Sequence, residues 1–362
     1  SQPKKSIGEL LGKPPNQSSL HGRAELIDQL KSKKKTILTG LPGIGKTSIL
    51  RGIADVLVKE GMTVRFATME SFKDITDIFE DWGYQFSSEN AVLSSSKKEV
   101  LILDELQEVS QRHLARLEEF ATKSTHLVMA SRAPLPISDG FEIIEIPPLE
   151  IQDAVKLLPE HLENRETVAK RLGGHPLALQ MHDEDSDLPE SGSDLQEWVK
   201  DVVLSKLKDE IKALDELSIL PVPVPPTYLQ HEQHLLELDD YALLRWFASG
   251  VELHHLVRNV RSTMLTKDDY ASAANYWSQL DGDLARLVEM HHVLNSEGDI
   301  ESLLIRNAES LMVRSSSGLA SLIGDAIFRH PTEKLHRIAA IVAIERGESD
   351  IASEHLRHCN AP

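Results

Sequence analysis

A single cysteine, Cys359, occurs in the 362 residues. That excludes a disulfide framework and a multi-cysteine zinc site, and it suits a reducing compartment, with the cytoplasm as default. Basic residues are in deficit, 39 against 57 acidic ones for a formal charge of -18, which opposes non-specific attraction to nucleic-acid phosphates and to anionic membranes. No run approaches the roughly 18 apolar residues of a membrane span. The opening S-Q-P-K-K-S-I-G-E-L lacks the apolar stretch of a signal peptide. The chain begins at Ser1 rather than methionine, as a tag remnant or a truncation would leave it.

The length predicts two to four domains. Residues 36–40 form a short β-rich run, followed by a glycine-rich turn and then by helical apolar spacing: strand, loop, helix. Further β-rich runs at 64–68, 100–103, 126–130 and 143–146 alternate with helical patterns such as 72–82 and 112–120. The expectation is a parallel five-stranded sheet covered by helices. After Pro147-Pro148 the strands stop. Helical patterns run over 151–159 and 165–180, an acidic stretch at 183–194 reads as a solvated linker, and a helical block at 195–220 closes in P-V-P-V-P-P. From Tyr270 onward helix follows helix with short polar joints, which predicts stacked helical hairpins; the spacing of the joints does not match a 34-residue repeat.

The glycine-rich turn carries the chemistry. Gly40, Leu41, Pro42, Gly43, Ile44, Gly45, Lys46 and Thr47 satisfy G-x-x-x-x-G-K-[ST], with Ser48 next in line. Glycines let backbone N–H groups curl around a phosphate at the positive end of a helix; Lys46 reaches the terminal phosphates and Thr47 ligates Mg²⁺. Such a loop calls for an apolar strand ending in a carboxylate, and V-L-I-L-D-E supplies it. Asp104 then holds the Mg²⁺ shell and Glu105 orients and deprotonates the attacking water. H-L-V-M-A ends in Ser131-Arg132 where ligands sit in open α/β sheets, making Arg132 a candidate γ-phosphate sensor. The ligand expected is ATP or ADP with Mg²⁺.

In this order the pieces resemble the STAND class of P-loop ATPases, relatives of AAA+ that include the NB-ARC switches. L-H-G-R-A-E-L-I-D-Q-L at 20–30, containing Gly22 and Arg23, looks like the segment that lies against the adenine in that class. I-P-P-L-E-I-Q-D-A-V-K-L-L looks like the link into its small helical domain, and L-G-G-H-P-L-A-L like its G-x-P motif, which places Pro176 on the adenine. Residues 195–265 are similar to its winged helix, including G-V-E-L-H-H-L-V-R. There His254 falls on the histidine that reaches the β-phosphate of ADP, while the family's Met-His-Asp becomes Leu253-His254-His255. The resemblance implies an ASCE-type P-loop domain at 18–148 behind an extension at 1–17. A helical lid at 149–183, a linker at 184–194, a winged helix at 195–266 and a TPR-like helical region at 267–362 follow.

It also implies a slow ATPase that switches between a closed state and an open, homo-oligomerising one for an unknown effector. Two other readings share these parts: an AAA+ or replication-initiator-like ATPase acting on DNA, and a STAND-type transcription regulator. Arg112 and Arg116 are candidates to act on a neighbouring subunit. Plainer readings attach to His231/His234 and His291/His292 as surface histidines, to Lys33–Lys35 as a solvated charge run, and to Trp246-Phe247 and Tyr276-Trp277 as core anchors.

Overall fold

The structure is a computed structural model that describes residues 7–17, 20–86, 88–132, 137, 139–190 and 194–359. The first six residues of the opening segment and residues 191–193 of the acidic stretch lie outside the described residues.

The chain opens with β1 (Leu10–Gly12), α1 (Ala24–Leu30), β2 (Lys35–Thr39), α2 (Lys46–Lys59), β3 (Val64–Thr68), α3 (Ile75–Asp81) and α4 (Glu89–Ser95). Next come β4 (Val100–Asp104), α5 (Gln111–Lys123), β5 (Leu127–Ala130) and β6 (Glu142–Glu145). All these strands pair in parallel in the order β1-β3-β4-β5-β2-β6. The five expected strands are present, and a sixth corrects the count: β1, from the segment read as an extension, pairs with β3 through Leu10 and Val64. Strand β5 lies between β2 and β4, the ASCE arrangement. Every residue of β4 is buried, as a parallel strand covered on both faces requires. Leu103, Phe79 and Phe120 fill one side of the sheet, Ile49, Ile53 and Ile102 the other.

Past the sheet lie α6 (Ile151–Ala154), α7 (Arg165–Arg171), α8 (Pro176–Met181), α9 (Leu195–Trp198), α10 (Ile211–Ser218) and α11 (Leu235–Asp240). An antiparallel hairpin of β7 (Leu244–Phe247) and β8 (Gly250–Leu253) leads into α12 (His255–Ser262). The pattern read as one helix over 165–180 is broken at Gly173 and Gly174, both at positive φ; a Cβ on Gly174 would lie 2.2 Å from the Leu149 carbonyl oxygen. The acidic stretch is not simply solvated. The Trp198 indole donates to the Asp187 carbonyl at 2.8 Å, Lys206 pairs with Asp183 at 2.6 Å, and Leu188 packs on the core below. One apolar cluster runs from Leu149 through Trp198, Leu214 and Leu253 to Val288, so the segments on either side of the stretch share a core.

Six helices complete the described chain: α13 (Lys267–Trp277), α14 (Asp283–Asn295), α15 (Ile300–Arg314), α16 (Ser316–Arg329), α17 (Glu333–Glu345) and α18 (Ser349–Leu356). They turn back onto the sheet. Asp74, fully buried at the N-cap of α3, accepts from Arg346 at 2.6 Å and from Arg116 at 3.2 Å, and Arg112 pairs with Glu348. The His113 Nε2–H donates to the Ser317 carbonyl at 2.9 Å. Arg112 and Arg116, whose action on a neighbouring subunit the sequence left open, are engaged within the chain.

Two plainer readings are also corrected. His292 is fully buried rather than a surface residue, and burial pushes it down to about 3. Trp246 is 48% exposed rather than a core anchor, whereas Trp277 is buried.

Candidate functional site

The loop from Gly40 to Gly45 leaves β2 and enters α2, whose N-cap is Gly45 at φ 97. A Cβ there would meet nothing within 4 Å, so the backbone faces open space where a phosphate would approach. The Lys46 Nζ folds back onto its own loop, donating to the Gly40 carbonyl at 2.7 Å and the Leu41 carbonyl at 3.1 Å. Burial lowers its pKa against the pull of Glu105 and Asp104.

Below the loop the Thr47 hydroxyl donates to Asp104 Oδ2 at 2.6 Å. Burial first, then the neighbouring Glu105 charge, pushes the Asp104 carboxyl up. Two hard oxygen donors side by side, one a carboxylate short of positive charge, suit Mg²⁺. Across the cleft, the buried Arg132 Nε has no hydrogen-bond partner among the described residues, although the guanidinium also pairs with Glu108. The Arg132 backbone N–H donates to Gln107 at 2.9 Å. An unsatisfied guanidinium donor, an open amide cradle and a lysine form a set that fits a polyphosphate.

The remaining predicted residues divide between lining the cleft and supporting it. Pro176, at the start of α8, and His254, at the N-cap of α12, line a cleft of about 250 Å³ together with Gly43, Lys46, Thr47, Ser48, Glu105 and Arg132. Gly22 and Arg23 do not line it. The Arg23 guanidinium is buried, donating to the Pro147 carbonyl at 2.8 Å and the Ile44 carbonyl at 3.4 Å, so it braces the loop from behind. Gly22 sits where a Cβ would overlap the Asp153 carboxylate. Burial, with Arg245 nearby, pushes His254 down to about 3, so it meets the cleft as a neutral imidazole.

Three residues of the site were missed from the sequence. His175 Nε2–H donates to the Pro42 carbonyl at 3.0 Å while Nδ1 accepts from the Ala178 N–H at 3.3 Å, which fixes the tautomer and ties α8 to the loop. Burial holds it down to about 4. Arg245, on β7, donates to Glu105 Oε1 at 2.7 Å and lies 3.2 Å from Glu252. His255 Nε2 lies 3.2 Å from Glu105 Oε2, without the alignment of a hydrogen bond. His175 was within reach, since it stands beside Pro176 in the quoted motif. Arg245 had no local signal, because it comes to Glu105 across 140 residues.

Burial alone would raise the Glu105 carboxyl, but Arg245, with His255 adding to it, holds it well below the usual range. Glu105 itself stands in the left-handed region at φ 53, a strain of about 1–2 kcal/mol that aims its side chain off the end of β4. Glu105, Glu108 and His255 also gather ligand atoms within 4.8 Å. Arg245, Gln107 and Arg132 already supply the positive charge and donors there, so the group is not a cation site.

The fold and the cleft are those of an α/β P-loop NTPase, and residues 21–131 match the AAA domain family model. No curated protein matches the sequence. Among solved structures, the chain is similar to the signal transduction ATPase with numerous domains (STAND) with a tetratricopeptide repeat sensor from Pyrococcus horikoshii. The TM-score is 0.67 at 15% identity, over 96% of this chain and 59% of that one. The STAND resemblance expected from the motifs is thus borne out in fold, with a helical C-terminal region. The chain spans about three-fifths of that neighbour's length. Among the described residues, no helix is long and apolar enough to cross a membrane.

Proposed function

We propose that this chain is a nucleotide-gated switch of the STAND type that binds ATP or ADP with Mg²⁺ and hydrolyses ATP slowly. The observation that carries the reading is the composition of one cleft: the P-loop with Glu105 and Arg132, Pro176 with Leu177 and Gln180 of the lid, and Arg245, His254 and His255 of the hairpin unit. A ligand seated there contacts three segments that are far apart in sequence, so its chemical state biases how they pack.

Residues 195–266 serve in this reading as the winged helix. The P-loop amides and Lys46 bind the phosphates, Thr47 and Asp104 hold Mg²⁺, and the Arg132 Nε takes the terminal phosphate. Mg²⁺ supplies charge neutralisation across the phosphate oxygens when bound. In hydrolysis, water oxygen bonds to the γ-phosphorus as the bond to the ADP oxygen breaks, and the water proton passes to Glu105. Neutral His254 is placed to donate to a diphosphate and hold the lid and winged helix closed. Exchange for ATP then releases an assembly-competent form whose partner is a second copy or an effector protein.

Mass analysis of nucleotide in the purified protein, with sizing in ADP and in a non-hydrolysable ATP analogue, tests this. Bound ADP, a compact monomer in ADP and a larger or expanded species in the analogue support it. An empty site with identical profiles refutes it.

A further inference from the structure

We propose that Arg245 is a positioning residue that holds Glu105 out of catalysis in the closed arrangement, so that turnover requires the β7–β8 hairpin to leave the sheet. This rests on the ATPase reading above and adds the element that silences it.

The case is one of engaged oxygens: each Glu105 carboxylate oxygen already accepts one hydrogen bond, and Arg245 fixes how the carboxylate is turned. A carboxylate accepts a proton from water only through an oxygen that the water can reach. Glu105 Oε1 is taken by Arg245 at 2.7 Å; Oε2 accepts from the Gln107 amide and faces His255 at 3.2 Å. The Glu105 side chain is 11% exposed and that of Arg245 is 13% exposed, so solvent does not compete for the pair. Arg245 is in turn fixed from its own side by Glu252, directly opposite on β8.

The two halves of this lock lie on different bodies. Glu105 ends β4 of the sheet, whereas Arg245, Glu252 and His255 all ride on the hairpin and the first turn of α12. Movement of that unit removes Arg245 and His255 together and leaves Glu105 with Gln107. The His254-His255 step serves both ends of the device. His254 meets the cleft where a nucleotide would sit, and His255 meets Glu105, so a ligand that holds the first in place keeps the second in place. Closure and hydrolysis are then mutually exclusive, and the slow step is opening rather than chemistry.

The test combines single-turnover ATP hydrolysis with amide hydrogen exchange of residues 244–253 in the full chain without nucleotide. Arg245→Gln is made together with Glu252→Gln, so that Glu105 is the one carboxylate of the pair to lose its guanidinium. The expected result is hydrolysis faster by about tenfold, as the competent fraction grows. Hairpin amides should exchange faster, and the gain in rate should vanish when Glu105→Gln is added. Hydrolysis that stays the same or falls, with unchanged hairpin exchange, overturns the proposal, because Arg245 then supports catalysis or does nothing to it. Should the double variant not fold, His255→Gln decides the matter: a smaller acceleration dependent on Glu105 supports the restraint, and none overturns it. Glu105-dependent turnover indifferent to Arg245 and His255 removes this proposal alone. Absence of Glu105-dependent turnover in every variant removes the ATPase reading and the restraint with it.

Discussion

His175 is the point where the lid can be uncoupled from the loop without touching a phosphate ligand. His175→Ala deletes the N-cap of α8, worth about 1 kcal/mol, and strands the Pro42 carbonyl, worth about 1–3 kcal/mol. The expected loss of lid docking is therefore about 3 kcal/mol, on the order of a hundredfold more frequent opening. His175→Asn keeps a cap but is too short to reach Pro42, so it should recover about 1 kcal/mol of that. Protonation loosens the same contact by another route: the imidazolium keeps its bond to Pro42 but loses the Nδ1 acceptor that caps α8 and puts a charge in a buried site. His175 is held from 6.5 down to about 4 in the folded state. The stability contributed by its neutral form is complete above pH 6.5 and is lost as pH falls through 4, at most about 3 kcal/mol. Hydrogen exchange of residues 176–181 between pH 7 and 4, corrected for the intrinsic rate, reads both effects. Wild type should open progressively below pH 6.5, while His175→Asn should open more at pH 7 and respond less to acid. Equal protection in the two proteins, with the same acid response, would refute the argument.

Other expectations follow from the same geometry. Lys46→Ala removes the cation at the loop and should weaken ADP or ATP binding by about a hundredfold in a calorimetric titration, leaving the circular dichroism spectrum unchanged. Glu105→Gln should retain ATP binding and lose steady-state phosphate release by at least about a hundredfold. Asp74→Ala leaves Arg346, 6% exposed, without its buried partner. It should cost about 3–5 kcal/mol of docking between the C-terminal helices and the sheet, seen as faster proteolysis between residues 262 and 349. Gly43→Ala puts a Cβ 2.7 Å from Leu177 at φ 80, and should open the lid while lowering nucleotide affinity.

The readable parts of the molecule were those whose physics is local. The loop from Gly40 to Thr47 announces itself because glycine, lysine and a hydroxyl must occur at fixed offsets around a phosphate. The continuous apolar run of β4 ends in Asp104 because a buried strand must deliver its carboxylate at the sheet's rim. Alternation of strand and helix gave five strands. It missed β1, since three residues ahead of a coil carry no period, and only pairing with β3 makes them a strand. Arg112 and Arg116 could not be assigned a partner from the sequence. Their partners, Glu348 and Asp74, come from the far end of the chain and from the neighbouring helix respectively. His254 was singled out from its motif, yet its neighbour His255, read only as a missing aspartate, lies beside Glu105. Gly22 and Arg23 were assigned to the ligand; the Arg23 guanidinium holds the Ile44 and Pro147 carbonyls behind the loop, and Gly22 packs close to Asp153.

The central claim is that one cleft reports its nucleotide to three segments. Hydrogen exchange of the whole chain in saturating Mg²⁺-ADP and in a Mg²⁺-bound non-hydrolysable ATP analogue tests it most directly. The account predicts P-loop protection with both ligands, but protection of residues 176–181 and 244–262 with ADP alone. Equal protection of those two segments in both states would contradict it.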